Sequence, residues 1–369
     1  MLGVPSVPEP ILRGAVLTID TGAIAANWRD LAARHGRPTA AVVKADGYGL
    51  GARVVVRSLY DAGCRHFFVA HLSEALAIGD LIPGAMLAVL NGLLPGTAPE
   101  LASRGILPVL GSLAEIADWS GEAARRGQAL PALLHVDTGM ARLGLDPAEW
   151  GTLLAEPGRL RGIDLRYLMT HLVAAEQPDD PLNALQLERF RAACARMPGV
   201  ATSLANSSGL FLGAEYGSDL GRPGAALYGV NPTPGLPNPQ RAVVALRVRV
   251  LQVRAVPAGA PVGYDATWVA ARASRIATAC VGYADGWPRM LSNRGCAFFD
   301  GQAVPLVGRV SMDLVTYDAT DVPHLAAGDW LELIGPHCPV DEVARLAETN
   351  GYEILTSLGA RYQRVIGTV

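Results

Sequence analysis

Lys44 is the only lysine in a chain of 369 residues that carries 31 basic residues, the other 30 being arginine. Arginine keeps its proton inside a protein, whereas a buried lysine gives its proton up and attacks a carbonyl as a free amine. A chain that leaves all other cationic work to arginine and retains one amine singles that amine out for Schiff-base chemistry. The bland alternative is a surface lysine that survived an arginine-rich composition. Lys44 ends an apolar run, Thr39-Ala-Ala-Val-Val, and Gly47 and Gly49 follow it. It is therefore expected at the C-terminal end of a strand beside a tight loop, where barrels and open α/β sheets carry their catalytic groups.

Other polar residues recur where further strands are expected to end: Tyr48, the stretch from Asp137 to Arg142, His171, Asn206 with Ser207, and Arg222 to Gly224. Singly, each reads equally well as a satisfied core histidine, a solvated charge or a turn; as a set they would line one mouth. Arg222-Pro-Gly224-Ala225 offers a cation followed by backbone N–H groups, and Asn206-Ser207-Ser-Gly209 offers hydroxyls at a helix start. Such groups hold a phosphate without needing lysine. A Schiff-base lysine beside a phosphate site points to pyridoxal phosphate.

The elements that must position these residues alternate in type. Strand-like runs at 15–19, 40–44, 66–70, 86–90, 107–110, 133–136, 165–170 and 202–205 are separated by Ala/Leu/Arg-rich stretches at helical spacing. About eight such units predict an N-terminal (β/α)8 TIM-like barrel, with an open doubly wound sheet as the runner-up. The proline-rich stretch Asn231-Pro-Thr-Pro-Gly-Leu-Pro-Asn-Pro239 can neither continue a helix nor donate to a ladder. Beyond it, alternating runs at 243–253, 276–281, 296–299, 303–310, 314–317 and 330–334 predict a mainly β C-terminal domain with one short helix at 340–349. The expected organisation of this α/β chain is a leader over 1–14, a barrel over 15–235 and the β domain over 236–369.

Composition narrows the function. Half the residues are hydrophobic, 18% are charged and the net charge is −3, which leaves no electrostatic footprint for nucleic acid or an anionic membrane. Small molecules are the expected partners. The five cysteines, at 64, 194, 280, 296 and 338, show no paired metal-ligand spacing, so no metal site is expected, and their scatter suits reduced thiols better than a disulfide framework. With no signal-type leader and no apolar run near ~18 residues, the reading is a soluble cytoplasmic protein.

The runs Val43-Lys-Ala-Asp-Gly-Tyr-Gly49, Val136-Asp-Thr-Gly-Met-Ala-Arg-Leu-Gly144, Ala205-Asn-Ser-Ser-Gly209, Arg222-Pro-Gly-Ala-Ala-Leu-Tyr-Gly229, Val262-Gly-Tyr-Asp-Ala-Thr-Trp268, Val281-Gly-Tyr-Ala-Asp-Gly286 and Gly308-Arg-Val-Ser-Met-Asp313 resemble, in order and across both domains, the alanine racemase family. The resemblance implies a homodimeric isomerase that interconverts L- and D-alanine on pyridoxal phosphate, for D-alanine supply to peptidoglycan or for alanine breakdown. It implies that Lys44 carries the cofactor and is the base on one substrate face, while Tyr264, reaching in from the second subunit of a head-to-tail dimer, is the base on the other. Arg222 would face the pyridine nitrogen and weaken the electron sink; His171 would link Arg222 to Tyr264. Tyr48, Asn206, Ser207, Gly224 and Ala225 would hold the cofactor, chiefly its phosphate. Arg142 would meet the phenolic oxygen and the substrate carboxylate, Met312 and Asp313 would come from the partner, and Tyr283 would stand at the entrance.

Two positions depart from the family's pattern. His135 stands where many members have a lysine whose carbamate fixes the arginine equivalent to Arg142; histidine forms no stable carbamate, so an anion there must be chloride, another carboxylate, or absent. Ala360 stands where well-known members carry a pocket-narrowing tyrosine, for which Tyr362 is the nearest replacement. The alternative reading is a broader, serine-accepting racemase. A lyase or decarboxylase would not need Tyr264, and a non-catalytic pyridoxal phosphate carrier would not need the β domain.

Overall fold

The computed structural model describes residues 14–369; the expected leader lies, but for Gly14, outside them. The chain forms two compact units. One is Gly22–Arg241, and the other joins the N-terminal segment through Thr21 to Ala242–Val369.

The first unit is a parallel barrel. Seven strands pair in chain order: Ala41–Val42, His66–Val69, Met86–Val89, Leu107–Leu110, Leu130–His135, Ile163–Met169 and Ala201–Ser203. Helices between them, among them Ala52–Asp61, Leu113–Arg126 and Pro181–Ala195, return the chain to start each strand in the same direction, as parallel pairing requires. Residues 220–223 supply the eighth stave. Leu220 N–H donates to Thr202 O (3.0 Å) on one side, while Ala40 N–H donates to Gly221 O (2.8 Å) and Val42 N–H to Pro223 O (3.0 Å) on the other. Side chains fill the interior: Ala40, Val42, Phe68, Ala88, Val109, Leu133, Met169 and Leu220 form one buried cluster, so the barrel is a packed core with its chemistry confined to its ends.

The expectation that Ala15–Ile19 opens the barrel is corrected. That strand pairs antiparallel with Val244–Val256 and parallel with Gln363–Ile366, within the other unit. Its strand-then-helix grammar matches that of the barrel strands, but its hydrogen-bond partners lie more than 200 residues away in sequence, where no local pattern reaches.

The second unit is mostly strand. The long strand Val244–Val256 organises it, pairing with Ala15–Ile19, Trp330–Ile334 and Ser274–Ala279. Of the expected strand over 303–310, only Gln302–Pro305 forms; Leu306 makes an isolated bridge to Tyr317 and the following residues become a loop. The helix expected at 340–349 runs Val340–Leu346 and is followed by a second, Gly351–Ser357, capped by the Asn350 side chain. Among the described residues no helix is long and apolar enough to cross a membrane.

Candidate active site

The expected cluster of polar residues follows the C-terminal ends of the barrel strands. Lys44 follows Ala41–Val42, Arg142 lies in the loop after Leu130–His135, His171 follows Ile163–Met169, Ser207 follows Ala201–Ser203, and Arg222 ends the eighth stave. Parallel strands place all these ends on one face.

The chain turns sharply after Lys44. Ala45, Asp46, Gly47 and Tyr48 all take positive φ, between 53° and 63°, a left-handed turn that costs each residue with a Cβ about 1–2 kcal/mol. Hydrogen bonds offset part of this. Asp46 Oδ1 accepts the Ala52 N–H (2.7 Å), a charge-assisted bond worth about 1.5–3 kcal/mol. The turn brings Tyr48 back over the barrel, where its ring stacks on that of Tyr228 with centroids 4.4 Å apart; the Tyr228 hydroxyl donates to Val42 O (3.1 Å). Tyr228, within Arg222-Pro-Gly-Ala-Ala-Leu-Tyr-Gly229, is a site residue that the sequence reading missed. An aromatic residue four positions after Gly224 was the available signal.

The charge state of the mouth follows from burial. Lys44 is held below the usual lysine range, first by desolvation and then by the Arg142 charge, with Glu74 pulling the other way. His171 is driven down to about 3, chiefly by burial and then by Arg222, Arg142, His135 and Lys44. His135 is pushed down to about 4 by burial and then by Arg222, against Asp137. Both imidazoles are therefore neutral at pH 7, and His135 brings Arg142 no negative charge.

Arg222 is 4% exposed. Its guanidinium donates to Ser203 Oγ, Thr170 O (2.6 Å) and Leu204 O (3.4 Å). These acceptors are neutral, and burial pulls its pKa only to about 10, so a cation remains in the mouth at neutral pH. Ser203 and the Thr170 carbonyl are positioning groups that the sequence did not mark, since nothing local pairs them with residue 222.

The phosphate groups also converge. Ser207 Oγ accepts the N–H of Gly224 (3.0 Å) and of Ala226 (3.2 Å), so it joins the strand end at 203 to the one-turn helix Ala225–Tyr228. A Cβ on Gly224 would lie 2.3 Å from the Tyr48 hydroxyl; glycine keeps that space open. Asn206 is placed differently. Its Oδ1 accepts the Gly209 N–H (2.8 Å), which ties it to the turn Ser208–Phe211. Asp137 accepts the N–H groups of Gly139, Met140 and Ala141, and so shapes the loop that presents Arg142. The donor set fits pyridoxal phosphate: an amine able to deprotonate, a buried cation, a stacked tyrosine, and a serine–glycine cradle that a Cβ would fill.

The remaining expected residues belong to the second unit. Tyr264 is 70% exposed, on the turn Tyr264–Ala266 of a hairpin between Pro261–Val262 and Trp268–Val269. Arg309 pairs with Asp265 (2.9 Å) and fixes that turn to the loop at 308–314. The same loop receives the Tyr283 N–H at Ser311 O (3.0 Å) and the Ala284 N–H at Met312 O (3.0 Å). Tyr264, Tyr283 and Met312 are thus three exposed side chains around one loop. Asp313 pairs with Arg361 (2.7 Å), which also reaches the buried Asp285 (2.9 Å). Ala360 is exposed in a turn. Tyr362 is 1% exposed, and the idea that it replaces a pocket-narrowing tyrosine is corrected: its ring lies in the core of its own unit.

The chain matches two family models, "Alanine racemase, N-terminal domain" over residues 19–232 and "Alanine racemase, C-terminal domain" over residues 243–366. It is 58% identical to an alanine racemase of Acidiphilium cryptum over 96% of this chain and 99% of the relative. To one of Rhodospirillum rubrum it is 51% identical over 96% of each. Among solved structures, alanine racemase from Bartonella henselae with covalently bound pyridoxal phosphate superposes with a TM-score of 0.93 at 44% identity, covering 96% of this chain and 99% of that one. The biosynthetic alanine racemase of Pseudomonas aeruginosa does so with a TM-score of 0.89 at 34% identity, over 97% and 100%.

Proposed function

The chain belongs to the alanine racemase family, and from that premise we propose that it interconverts L- and D-alanine with Lys44 and Tyr264 as bases on opposite faces of the substrate. The observation that carries this reading is Lys44, the sole lysine, at a barrel strand end, with burial and Arg142 lowering its pKa. Pyridoxal phosphate would be held through the Lys44 amine and, once the substrate's own amine had displaced that amine, would supply the electron sink for the pair left at the α carbon, leaving the Lys44 amine free to act as a base.

Everything else is done by the chain's own side chains and backbone N–H groups. Tyr48, Ser207, Gly224 and Ala225 hold the phosphate, Arg142 orients the substrate carboxylate, and Arg222 sets a permanent cation against the ring nitrogen. A cation there disfavours protonation of that nitrogen, which limits electron withdrawal and with it side reactions. His171, neutral at pH 7, has one ring nitrogen to accept from Arg222 and one to donate, the form that can pass polarisation to a phenol oxygen. Lys44 takes or returns the proton on one face and the Tyr264 oxygen does so on the other, because one base cannot easily serve both. Since Tyr264, Tyr283 and Met312 stand exposed together, the proposed assembly is a head-to-tail homodimer in which these residues, with Asp313, complete the partner's site in the cytoplasm. The test is proton–deuterium exchange at the α carbon of each alanine enantiomer. Exchange of both, with net interconversion, is expected; exchange of one alone would refute racemisation.

A broader substrate range is the second reading, favoured by the small exposed Ala360 and the burial of Tyr362. One added group in a hydrophobic pocket changes binding by only about 1–3 kcal/mol. Serine should therefore be racemised measurably, with alanine preferred, and Ala360→Tyr should raise the alanine-to-serine ratio of kcat/KM by about tenfold. An unchanged ratio in competition assays would place Ala360 away from the substrate.

A further inference from the structure

Glu74 lies in the first turn of the helix Leu72–Ile78, and both its oxygens are in use. One accepts the Ala45 N–H at 2.7 Å; the other accepts the N–H groups of Ala70 (2.7 Å) and His71 (3.1 Å). The first bond reaches the residue immediately after Lys44, at the start of the left-handed turn. The other two lie where the chain leaves the neighbouring strand His66–Val69. One carboxylate thus ties two adjacent strand ends together at the rim of the barrel.

We propose that Glu74 is a positioning residue of the active site, whose carboxylate pins the left-handed turn to the adjacent strand end and so fixes the direction in which the Lys44 amine points. A left-handed turn of residues bearing Cβ atoms persists only where its surroundings over-determine it. Asp46 holds the far end of the turn through Ala52, and Glu74 holds the near end. The same carboxylate is an anion beside Lys44 that works against Arg142. Geometry and charge at the lysine therefore depend on one side chain that touches neither substrate nor cofactor in the reading above, on which this inference rests.

Glutamine is as acceptable as glutamate in the first turn of a helix, so Glu74→Gln keeps the cap. It cannot keep the bridge. Its single oxygen serves one strand end, and its NH2 group opposes the N–H at the other. In the full-length protein before cofactor loading, ε-13C-lysine gives a single resonance because Lys44 is the only lysine. Glu74→Gln is expected to lower the pH midpoint of that resonance, because an anion beside the amine has been removed. In the loaded enzyme it should lower kcat about tenfold or more through misplacement of the reacting amine, with little change in KM. Glu74→Asp keeps the charge but falls short of spanning both strand ends; it should leave the midpoint near that of the parent and still lower kcat. An unchanged midpoint and kcat in Glu74→Gln, or an unchanged kcat in Glu74→Asp should Glu74→Gln not fold, would reduce Glu74 to a helix cap. Loss of racemisation in the parent would instead defeat the reading of the function.

Discussion

Lys44→Arg is expected to abolish the visible absorbance of bound pyridoxal phosphate and to lower racemisation by more than about 10⁴-fold, the upper end of what one acid–base group contributes. The substitution keeps the positive charge and most of the length, so Arg142, His171 and Glu74 still face a cation. What it removes is the ability to deprotonate, because a guanidinium does not lose its proton in a protein. Burial and Arg142 already bias Lys44 towards the free amine, and arginine cannot follow that bias. The thermal midpoint should stay within about 3 °C of the parent, the shift that ~1 kcal/mol produces in a domain of this size. Absorbance, racemisation and melting measured on one preparation separate the outcomes. Colour and turnover that both survive would mean that the lone lysine is an accident of composition.

Tyr264→Phe should leave the cofactor absorbance intact and lower kcat by about 10²–10⁴-fold, the contribution of one positioned acid–base group. In single-turnover exchange the loss should fall mainly on one enantiomer, since only one face has lost its base. Equal loss for both would argue against two bases. The 70% exposure of Tyr264 in the single chain means that removing its hydroxyl disturbs no packing within its own chain. The assembly can be tested with the same variants. If each site takes Lys44 from one subunit and Tyr264 from the other, Lys44→Arg and Tyr264→Phe chains mixed after dissociation form heterodimers with one intact site. Half of the dimers are mixed and half of their sites are whole, so about a quarter of the parent activity should return. No recovery after verified subunit exchange would place both bases within one chain.

Much of the site was legible because its signals are local. The turn chemistry of Lys44-Ala-Asp-Gly47, the apolar run before it and the repeated alternation of strand and helix patterns are all written within a few residues of each other. Side chains that follow parallel strands must share a face, and so Lys44, Arg142, His171, Ser207 and Arg222 could be grouped from order alone. Asn206 was grouped by the same logic but bonds to its own turn through Gly209, because an Asn side chain reaches the nearby backbone before it reaches anything distant.

By itself, then, the sequence determined the reactive amine, the barrel, the β domain and the family motifs, all of which depend on residue type and short-range spacing. Only the tertiary structure decided what depends on partners far along the chain. It gave the eighth stave to residues 220–223 and sent Ala15–Ile19 to the other unit, because strand partners are chosen by long-range hydrogen bonding. It buried Tyr362 and left Ala360 exposed, since in the turn before the strand Gln363–Ile366 what covers each side chain is set by residues distant in sequence. It also made His171 and His135 neutral and kept Arg222 charged without an acidic partner, because desolvation acts through the surroundings of a group and residue type alone does not specify them.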